Sequence, residues 1–353
     1  MLGLIFVIIA FTIVLAFLEE YLGKPKKYLY WAICAMLVIY AAQRPIGFDR
    51  DSMVYEFSFH HYDNPMLILM YEPTFIYFSE KLRNMVPDIH IIFLLYALLS
   101  IPLKFYTFKR FIPEFLFLPV LIYLGNFYVL HDLTQIRASV AGALFLFAIL
   151  RLSEGNRKQA FFIILTGTLF HYSSLILLPV LFLNNNTLTR KWKIALYAVV
   201  PVALLLGILN INILAEIPIP GIKEKLDSYQ NMGSKFYDRS PMLTPFTYLK
   251  FGAFITCIYF SETIEKHLKG INLIIRIMAC SILLYYFFSS ITIFSQRFSE
   301  LYGVVEIILY SSLIYIGKPR WVGKIIITVM AIYQVYYSYI YWTLLDFSGF
   351  GNF

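Results

Sequence analysis

Long apolar stretches separated by short polar ones set the architecture of this chain. About ten runs of roughly 17 to 24 residues recur, each long enough to cross ~30 Å of hydrocarbon as a helix. The pattern predicts spans over 1–17, 28–43, 88–104, 114–131, 133–150, 194–214, 245–261, 271–294, 298–316 and 324–345. Runs such as LGLIFVIIAFTIVLAF lack the period-two alternation of a membrane β-barrel. The predicted fold is therefore all-α, a polytopic integral membrane protein of about 10–11 transmembrane helices. No internal repeat and no soluble domain interrupts residues 1–353, which read as a single transmembrane domain.

One apolar run, residues 160–183, carries the stretch FHYSS at its centre, with His171 in the middle. Its length would let it cross as a straight helix. The flanking charges point elsewhere. In the first half, Lys24, Lys26, Lys27, Lys104, Lys109, Arg110, Arg151, Arg157 and Lys158 share one side, against Arg44, Arg50, Lys81, Arg83 and Arg137. The larger set marks the cytoplasmic side and puts the N-terminus outside. If 160–183 turns back as a re-entrant hairpin, Arg190, Lys191, Lys193, Lys266, Lys269, Lys318, Arg320 and Lys324 join that side. Lys223, Lys225, Lys235, Arg239 and Arg297 then fall outside. The rule favours the hairpin, and irregular backbone at membrane depth implies burial in protein or a wet cavity.

Composition agrees. Hydrophobic residues make up 60% and charged residues 14%, with a mean hydropathy of +0.71, which excludes an ordinary soluble domain. The net charge of +8 sits in short loops and reads as membrane orientation, so no nucleic-acid partner is expected. The first 27 residues lack a basic n-region and a small-residue cleavage site, and read as a retained span. Cys34, Cys257 and Cys280 lie in apolar runs and form no motif, so they read as packing residues. The 33 Phe and 28 Tyr suit helix packing and interfacial belts.

Candidate chemistry gathers on the outer side. Two segments face it, 44–87 and 215–244, and both are rich in Tyr, Phe, Asn and Asp, which stack on and hydrogen-bond sugars. The second, with Gly221, Gly233, Pro218, Pro220 and Pro241, reads as a lid. Arg44, Arg137 and Arg297 all come out at one depth against the positive-inside trend. Singly, each reads as an interfacial arginine; together they suggest a shared anion site, because a guanidinium fork matches phosphate oxygens. Asp49, Asp51, His131, Asp132 and His171 are candidate bases near that level, and His171 also has the plain reading of a packing residue. Glu306 and Arg276 read as paired within their spans. The chain has no Walker loop, dinucleotide turn, HExxH or CxxC, and neither a metal nor a cofactor is expected.

The segment RPIGFDRDSMVYEFSF, the helix HDLTQIRASVAGALFLFAI followed by FHYSSLILLPVLFL, and the late element QRFSELYG resemble the EpsG-like, Wzy-type polysaccharide polymerases, in matching order over residues 44 to about 312. Phe48 stands where that family usually has a small residue, which touches the role of Asp49. The resemblance implies a glycosyltransferase of the bacterial cytoplasmic (inner) membrane. It would move a growing glycan from undecaprenyl pyrophosphate to the non-reducing end of a lipid-linked repeat unit, in O-antigen, lipopolysaccharide, capsule or exopolysaccharide synthesis. Implied partners are undecaprenyl-pyrophosphate-linked oligosaccharides, membrane lipids and a chain-length regulator. The implied catalytic residues are His171, Asp49 and Arg137; the implied substrate-binding residues are Arg44, Arg137, Arg297, Asp132 and Tyr55. An O-antigen ligase, a lipid-linked oligosaccharide flippase and a membrane O-acetyltransferase are the rival classes. One-sided charge favours an enzyme over a flippase, and the lack of cytoplasmic acid–histidine groups speaks against acetyl transfer.

Overall fold

The computed structural model describes residues 2–209, 241–341 and 344–345. Among them the chain is helical, in keeping with the predicted class. Helices α1 (Leu2–Leu18) and α2 (Pro25–Ala42) lead into the outer segment. That segment folds as three short helices, α3 (Ser52–His60), α4 (Pro65–Met70) and α5 (Pro73–Arg83). Proline opens α4 and α5 because its missing N–H is not needed in a first turn. Then come α6 (His90–Phe111), α7 (Phe117–Thr134), α8 (Ile136–Ser153) and α9 (Arg157–Phe170). A 3₁₀ helix, Tyr172–Phe182, precedes α10 (Arg190–Leu209). The rest comprises α11 (Pro245–Tyr259), α12 (Ser261–Glu265), α13 (Ile271–Phe287), α14 (Thr292–Gly303), α15 (Glu306–Ser311) and α16 (Arg320–Val335).

Among the described residues, 4 helices are long and apolar enough to cross a membrane unaided: α6, α7, α8 and α10. A fifth arises if α14 and the Glu306–Tyr315 helix, bent by 49° at their junction, count as one. The ten or eleven spans expected therefore include shorter apolar helices, such as Gly3–Leu18 and Ile271–Phe287. Breaks at residues 171 and 288–291, and the bend after Gly303, cut runs that look continuous by composition alone. Helix α7 is the centre of the bundle, with 94% of its span buried, whereas α10 at 17% lies on the periphery facing lipid.

From Tyr123 the turns of α7 widen to the π-helical form. Tyr123 and Asp132 are nine residues apart, about two and a half turns of an α-helix, and would face opposite sides. Wider turns bring them together, and the Tyr123 hydroxyl donates to Asp132 Oδ2 at 2.6 Å. Gly125 is required at its position, since a Cβ there would meet Gln334 at 2.9 Å.

Polar contacts sort the loops onto two faces. Arg110 and Arg151 share Glu154, Arg320 reaches Glu20 and Glu114, and His267 stacks on Tyr315. Gly270, at φ 112°, sits against Ser153 and Phe111, where a side chain would be both strained and crowded. Thr187 donates to Glu265 at 3.0 Å, and Lys193 to Glu262 at 2.7 Å. The chain that leaves this face at Arg157 has therefore returned to it by residue 187. Segment 160–183 is a re-entrant hairpin, with its apex at His171 on the opposite face. By the positive-inside rule the shared basic face is cytoplasmic. Lys104 is a correction to the charge count: α6 runs past it to Phe111, and it is buried, paired with Asp132.

Candidate functional site

The hairpin apex is built by local hydrogen bonding. His171 is extended (φ −155°, ψ 107°) and ends α9, and its carbonyl accepts from both the backbone N–H and the hydroxyl of Ser174. Helix α9 packs on α8 at Gly167, where a Cβ would make an ordinary 3.8 Å contact with Ala141. Tyr302 of α14 donates to the Ile176 carbonyl at 2.6 Å, fixing the returning limb. Thr74, in the first turn of α5, donates to the Leu169 carbonyl at 2.7 Å. That bond seats the residue before α5, Glu72, against the apex.

Glu72 is the hub. It is 4% exposed. Its Oε1 lies 3.2 Å from His171 Nδ1 and accepts from the Tyr172 N–H at 3.2 Å, while its Oε2 accepts from Arg137 Nη1. Burial by itself would raise the Glu72 pKa; the His171 hydrogen bond and the Arg137 charge outweigh it and hold the carboxyl below its ordinary value. The Arg137 guanidinium lies over the Tyr71 ring at 4.4 Å and the Tyr55 ring at 5.7 Å, and its Nε is buried without a partner. Asp51 stands in the field of Arg297, Arg137 and Arg50. Burial, and next the Asp49 charge, nevertheless raise its pKa. One α14 turn beyond Arg297, Glu300 interacts with Arg297, Lys250 and the Gln135 side chain. Lys250 also pairs with Glu306 at 2.7 Å.

The expected residues thus separate. His171, Arg137 and Tyr55 come together, and Arg297 lies within electrostatic range of Asp51 at the edge of the group. Arg44 and Asp49 lie on the same face but are not open to a ligand. Arg44 is fully buried, bonded to Asp49 through Nε at 2.9 Å and to the Ala41 carbonyl, and stacked 3.6 Å from the Phe93 ring centre. Asp49 spends its second oxygen on the N–H groups of Asp51 and Ser52, at the start of α3. The pair fastens the outer segment to the bundle, and with three donors on a buried carboxylate Asp49 acts as a structural anion.

Asp132 is a further correction. It accepts from Lys104, Ser100, Ser139 and Tyr123, all within the bundle, and is 2% exposed. Four donors satisfy its oxygens, so it is a structural anion rather than a sugar ligand. His131, also buried, packs on Phe127 beside Gly142. Arg276 holds the carbonyls of Asn184 and Asn186 on the basic face. Glu72 and Glu300 were missed by sequence reasoning. An acid directly before a proline-initiated helix, in YEPT, is the signal that marks Glu72.

The model of the EpsG family matches residues 26–351, nearly the whole chain. The chain belongs to the EpsG family. Membership carries a polysaccharide polymerase-type role for this multi-pass EpsG-family membrane protein. No curated protein and no solved structure matches the chain significantly.

Proposed function

We propose that this EpsG-family protein is a polymerase of the bacterial cytoplasmic membrane. It transfers a growing glycan from undecaprenyl pyrophosphate to the non-reducing end of a lipid-linked repeat unit on the outer face. The observation that carries the reading is the Arg137–Glu72–His171 constellation at the hairpin apex. Glu72 accepting from Nδ1–H of His171 leaves Nε2 as a lone pair for proton abstraction, with the carboxylate fixing ring and tautomer. The acceptor hydroxyl oxygen bonds to the anomeric carbon of the donor sugar as its proton passes to His171 Nε2. The bond from that carbon to the pyrophosphate oxygen breaks, and the electron pair leaves with the pyrophosphate. Arg137 and Arg297 stabilise the charge developing there. The donor carries its own activation, so the chemistry needs no nucleotide.

Glycan analysis after deletion of the gene tests this. Accumulation of single lipid-linked repeat units, restored to long chains by the intact gene, is the expected result. Normal lipid-linked polymer that fails only at its final transfer would instead mark a ligase and reject the polymerase.

A further inference from the structure

The basic face holds a depression of about 530 Å³ with no part in the outer-face chemistry. It opens between the start of α2 and the end of α6, lined by Gly23, Lys26, Lys27, Lys109, Arg110 and Leu116, among others. Two of its cations are already engaged: Lys26 with Glu19 at 3.4 Å and Arg110 with Glu154 at 2.8 Å. Lys27 and Lys109 make no hydrogen bond or ion pair among the described residues.

The backbone adds to this field. Helix α2 is 18 residues long and has no side-chain cap. The N–H groups of Lys26 and Lys27 make only long bonds, 3.4 Å each, to the Gly23 and Lys24 carbonyls, so an anion can compete for them. A helix start with loose donors, ringed by cations in a concave site, takes an anion. Its depth is also marked. Tyr21, Tyr28 and Trp31 stand exposed on the neighbouring surface, at 85%, 79% and 38%. Amphipathic rings of this kind sit at headgroup level.

We propose that this depression binds the phosphate headgroup of an anionic phospholipid from the cytoplasmic leaflet. The headgroup phosphate takes Lys27, Lys109 and the α2 N–H groups, while the exposed Tyr21, Tyr28 and Trp31 border its acyl chains. Apolar flanks of this kind favour a lipid over a free phosphate, which has nothing to place against them.

Native mass spectrometry of the full-length protein in detergent tests the site, with phosphatidylglycerol and phosphatidylcholine added in turn. Wild type should retain phosphatidylglycerol and not phosphatidylcholine. Lys27→Ala/Lys109→Ala should weaken retention about thirtyfold, since each cation near an anionic lipid contributes roughly fivefold. Lys266→Ala/Lys269→Ala, on the same face but outside the depression, should change it little. Equal retention by wild type and the Lys27/Lys109 variant would overturn the proposal. So would an equal loss in the Lys266/Lys269 control, which would mean diffuse surface charge. Displacement of the lipid by inorganic phosphate at matched concentration would reassign the pocket to a free anion and likewise refute the lipid assignment. Circular dichroism of each variant guards against unfolding.

Discussion

Arg137→Lys separates charge from geometry at the centre of the proposed site. A lysine keeps the positive charge and can reach Glu72, so the carboxylate is not stranded. It loses the planar stack on Tyr71 and Tyr55, at 4.4 and 5.7 Å. Two partly exposed cation–π contacts contribute about 0.5–1 kcal/mol each, so stability should fall by no more than ~1–2 kcal/mol. That is small against the ~5–15 kcal/mol of a typical domain, and the variant should remain folded. The functional loss is larger, because a point charge cannot present two parallel donors to a pyrophosphate oxygen pair. One charge-stabilising donor contributes about 2.7–4 kcal/mol to a transition state, so the rate should drop roughly a hundred- to thousand-fold. Two readouts suffice: polymer length on gels from a strain lacking the native gene, and thermal unfolding of the purified protein. Wild-type chain length from Arg137→Lys would refute the anion-stabilising role. Loss of polymer together with loss of the unfolding transition would show that the side chain acts only in folding.

Glu72→Gln should abolish polymer while costing modest stability, because Arg137 keeps 22% side-chain exposure and some solvation; unchanged polymer would remove Glu72 from the machinery. The same carboxyl has a folded pKa below its ordinary 4.5, so its contribution is complete above about that pH and is lost as pH falls further. An unfolding–pH series should show a low-pH decline that is shallower in Glu72→Gln, and identical slopes would disprove the linkage. Asp132→Ala should destabilise by about 3–5 kcal/mol by stranding buried Lys104, and Asp132→Leu/Lys104→Met should recover much of that; activity loss without any stability loss would instead make Asp132 a ligand. Asp49→Asn should weaken the Arg44 latch and lower stability, whereas His171→Ala should leave stability nearly unchanged and stop polymerisation; the reverse pattern would exchange their roles.

The class of fold is legible in the residues alone, because twenty apolar residues in a row have few stable forms other than a membrane helix. So is the hairpin at 160–183, since flanking basic residues and a polar FHYSS centre oppose a crossing in the same way. The residues closing that turn, His171 and Ser174, were legible for the same reason, a polar group being expensive at membrane depth. The lid expected over 215–244 falls outside the described residues except for its last four. Which charges face each other is set by the packing of the helices. Arg44, Arg137 and Arg297 look equivalent along the chain, yet Asp49 and Phe93 enclose the first, while Glu72 and Tyr71 hold the second beside His171. Asp132 reads as a candidate base or substrate-binding acid until the widened turns of α7 point it at Lys104, 28 residues earlier. Partners 28 to 99 positions apart leave no periodic trace, because a pair energy depends on distance in space, and helix packing alone sets that distance.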